Sequence, residues 1–146
     1  MTQQELLTEL DLMIEDSKTA VLASVDKDGN PHMRWMTPTL LKDRGNTIFA
    51  VTSPKFEKTV QLTENPDVEW LFQTRNLEKV INIRGVVNII DNSSIKSEVL
   101  ETLGRRLTAF WKLNEVEQNL NLLETVIQES VFFIPMKGIK YSVTFS

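Results

Sequence analysis

The stretch Val51–Phe72, VTSPKFEKTVQLTENPDVEWLF, contains the strongest structural signals in the chain. It begins at the end of an apolar run, passes a Thr-Ser-Pro step and enters a helix-like pattern that carries two lysines. Ser53 suits the N-cap of a helix and Pro54 its first position. Because the residue before a proline disfavours helical geometry, we expect this helix to end near Asn65-Pro66. The alternation over 67–74 then predicts a half-buried strand.

The rest of the chain divides in the same way into short strands and two further helices. We predict helices over 2–16, where Thr2 and Glu5 have the spacing of a capping box, and from Asn92, with Ser93 or Ser94 as cap. Further strands are predicted over 19–25, 32–40, 47–52, 80–90, 130–135 and 138–145, and residues 114–127 are interpreted as partly helical. Six or seven strands with three helices predict an α+β, mainly β fold: a small antiparallel barrel with peripheral helices.

The composition excludes several kinds of site and partner. The 146 residues, 41% hydrophobic and 25% charged, fit one folded domain spanning 1–146. The absence of cysteine and the single histidine, His32, rule out disulfides, thiolate metal sites and histidine clusters. A net charge of −4 argues against nucleic-acid binding. No apolar run approaches the ~20 residues of a membrane span and no secretory leader is recognisable, so we expect a cytoplasmic protein with no metal, nucleic-acid or membrane partner.

The apolar alternation of the predicted strands also indicates which residues form the core. We expect the barrel core to contain Val21, Ala23, Ile48, Ala50, Trp70, Ile83, Val87 and Phe133. Barrels this small leave apolar faces uncovered, which favours a homodimer. We expect Trp35, Trp70 and Phe72 at its interface, because aromatic residues are enriched at the buried centre of interfaces.

The start of the predicted helix after Ser53 has the composition of a phosphate site. A helix N-terminus offers free N–H groups and a positive dipole end to an anion. The hydroxyls of Thr52 and Ser53 can add hydrogen bonds, and Lys58 can add a charge. Arg34 reaches the same place if its strand neighbours the strand over 47–52. The alternative is a capped helix with solvated lysines.

Two segments, taken together and in order, resemble a known family. The first is DGNPHMRWM, which contains Arg34; the second begins with Thr52 and Lys58 and continues through Gln61-Leu62 to the Asn-Pro-Asp-Val of 65–68. The chain is similar to the pyridoxamine 5′-phosphate oxidase-like, FMN-binding split barrels, particularly the branch of general stress protein 26. The resemblance covers nearly the whole chain and implies a six- to seven-stranded antiparallel split barrel.

That resemblance also implies a cofactor and the residues that bind it. Arg34 and Lys58 would bind the phosphate of FMN, helped by Thr52 and Ser53. The residues Trp35, Met36 and Thr37 would lie along the ring system, and Val51 completes the expected set. Split barrels of this kind are usually homodimers with the flavin between subunits, so a partner chain would contribute to each site.

The sequence departs from the oxidase pattern at three places. Glu57 stands where a second basic residue often precedes the family's lysine, and Val80 where the oxidases carry a glutamine near the ring. The sequence also stops at Ser146, without the longer C-terminal segment that supplies the substrate-binding tryptophan and arginine of the oxidases. We therefore expect a small flavin-dependent oxidoreductase or stress-related flavoprotein with an unidentified small-molecule substrate, rather than a pyridoxamine-phosphate oxidase. No catalytic residue is predicted. The alternatives are a non-catalytic carrier or sensor of FMN or another cofactor, and a haem- or deazaflavin-binding barrel, for which His32 is the one histidine available to haem.

Overall fold

A computed structural model describes residues 1–52, 64–106 and 120–146, without the side chain of Arg106. These residues form two α-helices and a seven-stranded antiparallel sheet, which confirms the predicted fold class. In chain order the elements are α1 (Gln3–Ser17), β1 (Ala20–Val25), β2 (Pro31–Met36), β3 (Thr47–Thr52), β4 (Asp67–Gln73), β5 (Val80–Ile90), α2 (Ser93–Arg106), β6 (Asn121–Ile134) and β7 (Ile139–Thr144), with a 3₁₀ turn at Pro135–Lys137. The helix predicted after Ser53 lies outside the described residues.

The long strand β6 organises the sheet, whose order is β2-β1-β4-β5-β6-β3 with β7 also on β6. β5 pairs along one side of β6, while the other side pairs first with β3 and then with β7. Arg84 pairs with Glu129 but Gly85 with Ile127, so Gln128 is an extra residue in β6. Such a bulge bends a strand and increases its twist. It therefore helps the sheet to coil towards a barrel.

The first and last strands of this order, β2 and β3, meet at a point beyond the end of β2. Thr39 and Phe49 form an isolated antiparallel bridge in which each backbone N–H donates to the other's carbonyl at 2.8 Å. Pro38 immediately precedes the bridge and has no N–H to donate. The described strands therefore form a barrel closed at one bridge rather than along a full ladder, as a split barrel requires.

Buried side chains form two clusters on opposite sides of β3. The barrel interior contains the predicted core residues Ile48, Ala50, Trp70, Ile83 and Val87, and the buried face of α1 joins it through Leu6, Leu10, Met13 and Ile14. A second cluster lies between β3 and α2, and includes Phe49, Val51, Ile95, Val99 and Leu103. Because β3 is covered on both sides, all six of its residues are buried.

Three of the predicted core residues were assigned to the wrong face. Val21 and Ala23 are only half-buried, and β1 instead directs Ala20, Leu22 and Ser24 inward. On β6, Phe132 is buried whereas Phe133 is half-exposed. The prediction that Trp70 and Phe72 lie at a subunit interface is also wrong, because both are buried inside the barrel of a single chain.

Three element boundaries also differ from the sequence prediction. Residues 121–127, interpreted as partly helical, belong to β6. β2 ends at Met36 and only Thr39 of the predicted remainder pairs again. Asn92, rather than Ser93 or Ser94, caps α2, because its side-chain oxygen accepts the N–H of Ile95 at 3.0 Å.

The start of α1 agrees with the sequence in detail. Thr2 Oγ1 accepts the N–H of Glu5 at 3.1 Å, and the Glu5 carboxylate accepts the N–H of Thr2 at 3.0 Å, which confirms the capping box. Among the described residues, neither helix combines the length and apolarity needed to cross a membrane.

We expect Ile83→Ala to lower the free energy of unfolding by ~2–5 kcal/mol, the usual cost of a large-to-small change in a core. Ile83 is 0% exposed. The matched control is Ile89→Ala on the same strand, where the side chain is 39% exposed and the expected cost is below ~1 kcal/mol. Urea unfolding of both variants measures the difference, and equal costs would contradict the burial of Ile83 in the barrel core.

Candidate functional site

Four of the predicted site residues lie at the seam between β2 and β3. Thr37 and Met36 precede the Thr39–Phe49 bridge, while Val51 and Thr52 follow it. Because the bridge is antiparallel, both pairs of residues lie on the same side of it. The described residues continue no ladder there, so the ends of the two strands flank a gap in the barrel wall.

Arg34 lies on β2 and points to the inner face of the barrel. It pairs with Leu22 on β1, whose neighbours across the sheet are Trp70 and Ile83, all fully buried. Its Nη2 donates a hydrogen bond of 2.9 Å to Ser24 Oγ. Burial lowers the pKa of Arg34 from its ordinary value, but a guanidinium remains charged at neutral pH. The site thus contains a half-buried, oriented cation.

Thr52 supplies a buried hydroxyl at the end of β3. It follows Ile48 and Ala50 on the strand face directed towards the barrel interior. Its side chain is 3% exposed, and Oγ1 has no hydrogen-bond partner among the described residues. A buried polar atom without a partner is costly. This hydroxyl therefore fits a place where a ligand oxygen can complete its hydrogen bonding.

The turn between β1 and β2 fixes the position of Arg34 along the sheet. Asp26 Oδ1 accepts the N–H groups of Asp28 and Asn30, each at 2.9 Å, and Oδ2 lies 2.8 Å from His32 Nε2. Gly29 has a φ of +86°, which favours glycine in the turn. The hydrogen bond from His32, followed by that from Asn30, lowers the pKa of Asp26 to about 2. This network holds the register of the hairpin.

The structure separates some residues that the sequence assigned to one site. Trp35 follows Arg34 but points to the outer face, where it is 59% exposed. It borders a 260 Å³ cavity with Val21 and Leu71.

The Val51 side chain packs in the α2 cluster, so only its backbone remains for the seam. Met36 packs in the interior cluster and Thr37 is half-buried. Ser53 and Lys58 lie outside the described residues.

Sequence reasoning missed Ser24. The expected core residues Val21 and Ala23 imply an outward face for this serine, because strand residues alternate. The Asp-Gly turn that follows would have helped, since it sets the hairpin register and places Ser24 opposite His32, diagonal to Arg34. Diagonal neighbours on one face are within reach of a long side chain. Among the described residues, no group of three acidic or histidine side chains could hold a metal ion.

An antiparallel sheet closed at one bridge is the architecture of a split barrel. Residues 6–132 match the sequence profile of pyridoxamine 5′-phosphate oxidase, and the chain belongs to that family. The pyridoxine/pyridoxamine 5′-phosphate oxidase of Cupriavidus necator is 31% identical over 98 residues, which are 66% of this chain and 45% of that enzyme. The chain thus matches less than half the length of that relative.

Solved structures confirm the fold. A protein of Clostridium acetobutylicum related to general stress protein 26 has a TM-score of 0.70 at 17% identity. The match covers 97% of this chain and 96% of the other protein's chain. A heme binding protein from Mycobacterium smegmatis has a TM-score of 0.75 at 15% identity. The match covers 94% of this chain and 57% of the other protein's chain. At these identities the likeness concerns the fold alone.

We expect the Asp26 carboxylate to make stability depend on acid pH. Its folded-state pKa of about 2 lies below the ordinary value of 3.8, so its contribution is present above that value and is lost as the pH falls through about 2. In Asp26→Asn, which keeps an acceptor but removes the charge, unfolding free energy measured by urea should be lower at neutral pH and should fall less steeply in acid.

The control for this prediction is Asp28→Asn, in the same turn. Asp28 is exposed, and its bond to Asp26 uses the backbone N–H. It should therefore keep the pH dependence of the unaltered protein. An Asp26→Asn profile parallel to that of the unaltered protein would show that the carboxylate does not carry this dependence.

Proposed function

We propose that this protein binds FMN at the seam and acts as a small flavin-dependent oxidoreductase. The observation that carries the proposal is the half-buried Arg34 guanidinium, held by Ser24 on the inner face of the edge strand β2. A planar guanidinium offers paired donors that match phosphate oxygens. Membership of the oxidase family supports a phosphorylated ligand.

The other groups at the seam fit the same ligand. The Thr52 hydroxyl is buried and has no partner among the described residues, so a phosphate oxygen can accept its hydrogen. Lys58, whose place in the sequence matches the family's lysine, would add a second cation. Thr37 and the backbone around Met36 and Val51 would lie nearer the ring. These residues bind and orient the cofactor.

When bound, FMN supplies the redox chemistry at its ring system, and the protein supplies binding, orientation and electrostatics. This division of work suits a chain without cysteine and with one histidine. The redox partner would be a small molecule reaching the ring from outside the barrel, and we expect the protein to work in the cytoplasm. A carrier that holds FMN without turnover would bind equally well. Bleaching of bound flavin by NAD(P)H, followed by reoxidation with an acceptor, separates the oxidoreductase from the carrier.

Haem is the less favoured cofactor for this chain, although a haem-binding protein shares the fold. His32 is the one histidine, and its Nε2 lies 2.8 Å from Asp26 Oδ2 in the hairpin network. Ligation of iron through that nitrogen would break the contact. The absorption spectrum of the purified protein distinguishes flavin, a deazaflavin and haem directly.

We further propose that the protein is a homodimer with the flavin at the subunit interface. Trp35 and Met33 are 59% and 75% exposed on the outer face of β2. Across β1 and β4 the same face continues with the half-buried Val21, Ala23 and Leu71. A contiguous apolar patch of this kind is typical of an interaction site. Because it adjoins the seam, a second copy placed there could contribute to the cofactor site.

We expect Arg34→Ala and Lys58→Ala each to weaken FMN binding about tenfold or more. Each removes a charge-assisted hydrogen bond worth ~1.5–3 kcal/mol, and ~1.4 kcal/mol is one decade of affinity. Riboflavin, which lacks the phosphate, should bind nearly as before. Fluorescence titration with both flavins measures the effects.

Lys55→Ala is the control for this titration, because Lys55 matches no position of the family pattern and should leave FMN affinity unchanged. Equal losses for FMN and riboflavin would mean that Arg34 and Lys58 support the fold or the ring. If neither variant weakens FMN, the phosphate site is wrong.

For the dimer, we expect sedimentation to give twice the chain mass at micromolar concentration. Trp35→Ala should shift the population towards monomer, since it removes the largest exposed apolar side chain of the patch. Tyr141→Ala should not, because this exposed aromatic residue lies on β7, which pairs with β6 and is outside the patch. A monomeric unaltered protein would contradict the proposed assembly.

A further inference from the structure

Ser24 is a buried polar residue in contact with the arginine of the proposed site. It is 2% exposed on the inner face of β1, where its neighbour on that face is the fully buried Leu22. Its Oγ accepts a hydrogen bond of 2.9 Å from Arg34 Nη2. Since Leu22 pairs with Arg34 and Ser24 pairs with His32, the contact is a diagonal one between adjacent strands. Sheet register therefore holds the serine in reach of the guanidinium.

A neutral acceptor in this position has a specific consequence. A buried hydrogen bond to a charged donor is strong and directional, because no water competes for the donor. It restricts the rotation of a long side chain that otherwise has many conformers. A carboxylate in this place would add a negative charge beside the guanidinium, whereas a serine hydroxyl is a neutral acceptor. The arrangement suits a cation that must receive an anion.

The Asp26 carboxylate of the same hairpin has contacts of its own. Asp26 accepts hydrogen bonds from the backbone of Asp28 and Asn30 and contacts His32 through its other oxygen. This network belongs to the turn, whereas the Ser24–Arg34 contact lies further along the strands. The two polar contacts of the hairpin therefore have separate partners.

We propose that Ser24 is a positioning residue for the phosphate of the ligand. Its hydroxyl fixes the Arg34 guanidinium in the orientation that receives the phosphomonoester group, and Ser24 itself does not touch the ligand. The inference rests on the proposed function, because it assigns to Ser24 a role through Arg34. A purely structural serine would stabilise the fold without affecting the preference for FMN over riboflavin.

The experiment compares FMN and riboflavin affinities of the unaltered protein, Ser24→Ala, Ser24→Thr, Arg34→Ala and the Ser24→Ala/Arg34→Ala double variant. We expect Ser24→Ala to weaken FMN about tenfold, the scale of one hydrogen bond to a charged group, and to leave riboflavin unchanged. Ser24→Thr keeps the hydroxyl and should restore most of the FMN affinity. In the Arg34→Ala background, Ser24→Ala should cause no further loss, because its effect passes through the arginine.

The matched control is Ser130→Ala. Ser130 is also buried on the inner face, opposite Ile83 and Val143, with no side-chain hydrogen-bond partner among the described residues. It lies on β6 and is paired with β5 and β7 rather than with β1 or β2. Its replacement should leave the affinity for both flavins unchanged.

The outcomes separate the two proposals. If the unaltered protein shows no preference for FMN over riboflavin, the proposed phosphate site fails and the role of Ser24 fails with it. If Arg34→Ala abolishes the preference while Ser24→Ala keeps it, only the role of Ser24 is overturned. Equal loss of FMN and riboflavin affinity in Ser24→Ala, or losses that add in the double variant, would also overturn it.

Discussion

The close approach of Gly85 to the carbonyl of Val126 fixes the pairing of the two longest strands, on which the other strands depend. A Cβ at position 85 would overlap that carbonyl and the Thr125 side chain, so only glycine allows the register observed between β5 and β6. The extra residue Gln128 lies just beyond this contact and bends β6. The first half of β6 then carries β3, and the second half carries β7.

The seam follows from this arrangement. β3 is positioned by β6 and β2 by β1, so the two strands belong to opposite ends of the order and meet only because the sheet coils. Pro38 precedes their single bridge and cannot donate to a ladder. Among the described residues, no β-ladder therefore closes the barrel wall where β2 and β3 end.

The sequence predicted the bounds of the helices and strands better than it predicted which face of each strand is buried. The bounds of β3 and β5 agree with the prediction because turn residues punctuate both strands clearly. The start of β6 was missed because Leu122 packs against α2 while Leu123 packs inside the barrel, which removes the alternation of a strand with one wet face. The resemblance grouped Arg34 with Trp35, but strand alternation places the two on opposite faces. Sequence proximity therefore predicted the location of the site but not its geometry.

The reversed face of β1 has a physical cause that also explains the hairpin. Hydrophobicity alone favours burying Val21 and Ala23, yet the barrel buries Leu22 and Ser24. A buried serine and a half-buried arginine are each costly alone, and the hydrogen bond between them gives the serine hydroxyl and one arginine N–H group a partner. Departures from local rules of this sort are expected at functional sites. Since neighbouring strand residues alternate, directing Ser24 and Arg34 inward necessarily leaves Val21 and Trp35 outward. One choice of strand face thus produces both the half-buried cation on the inner face of β2 and the apolar patch on its outer face.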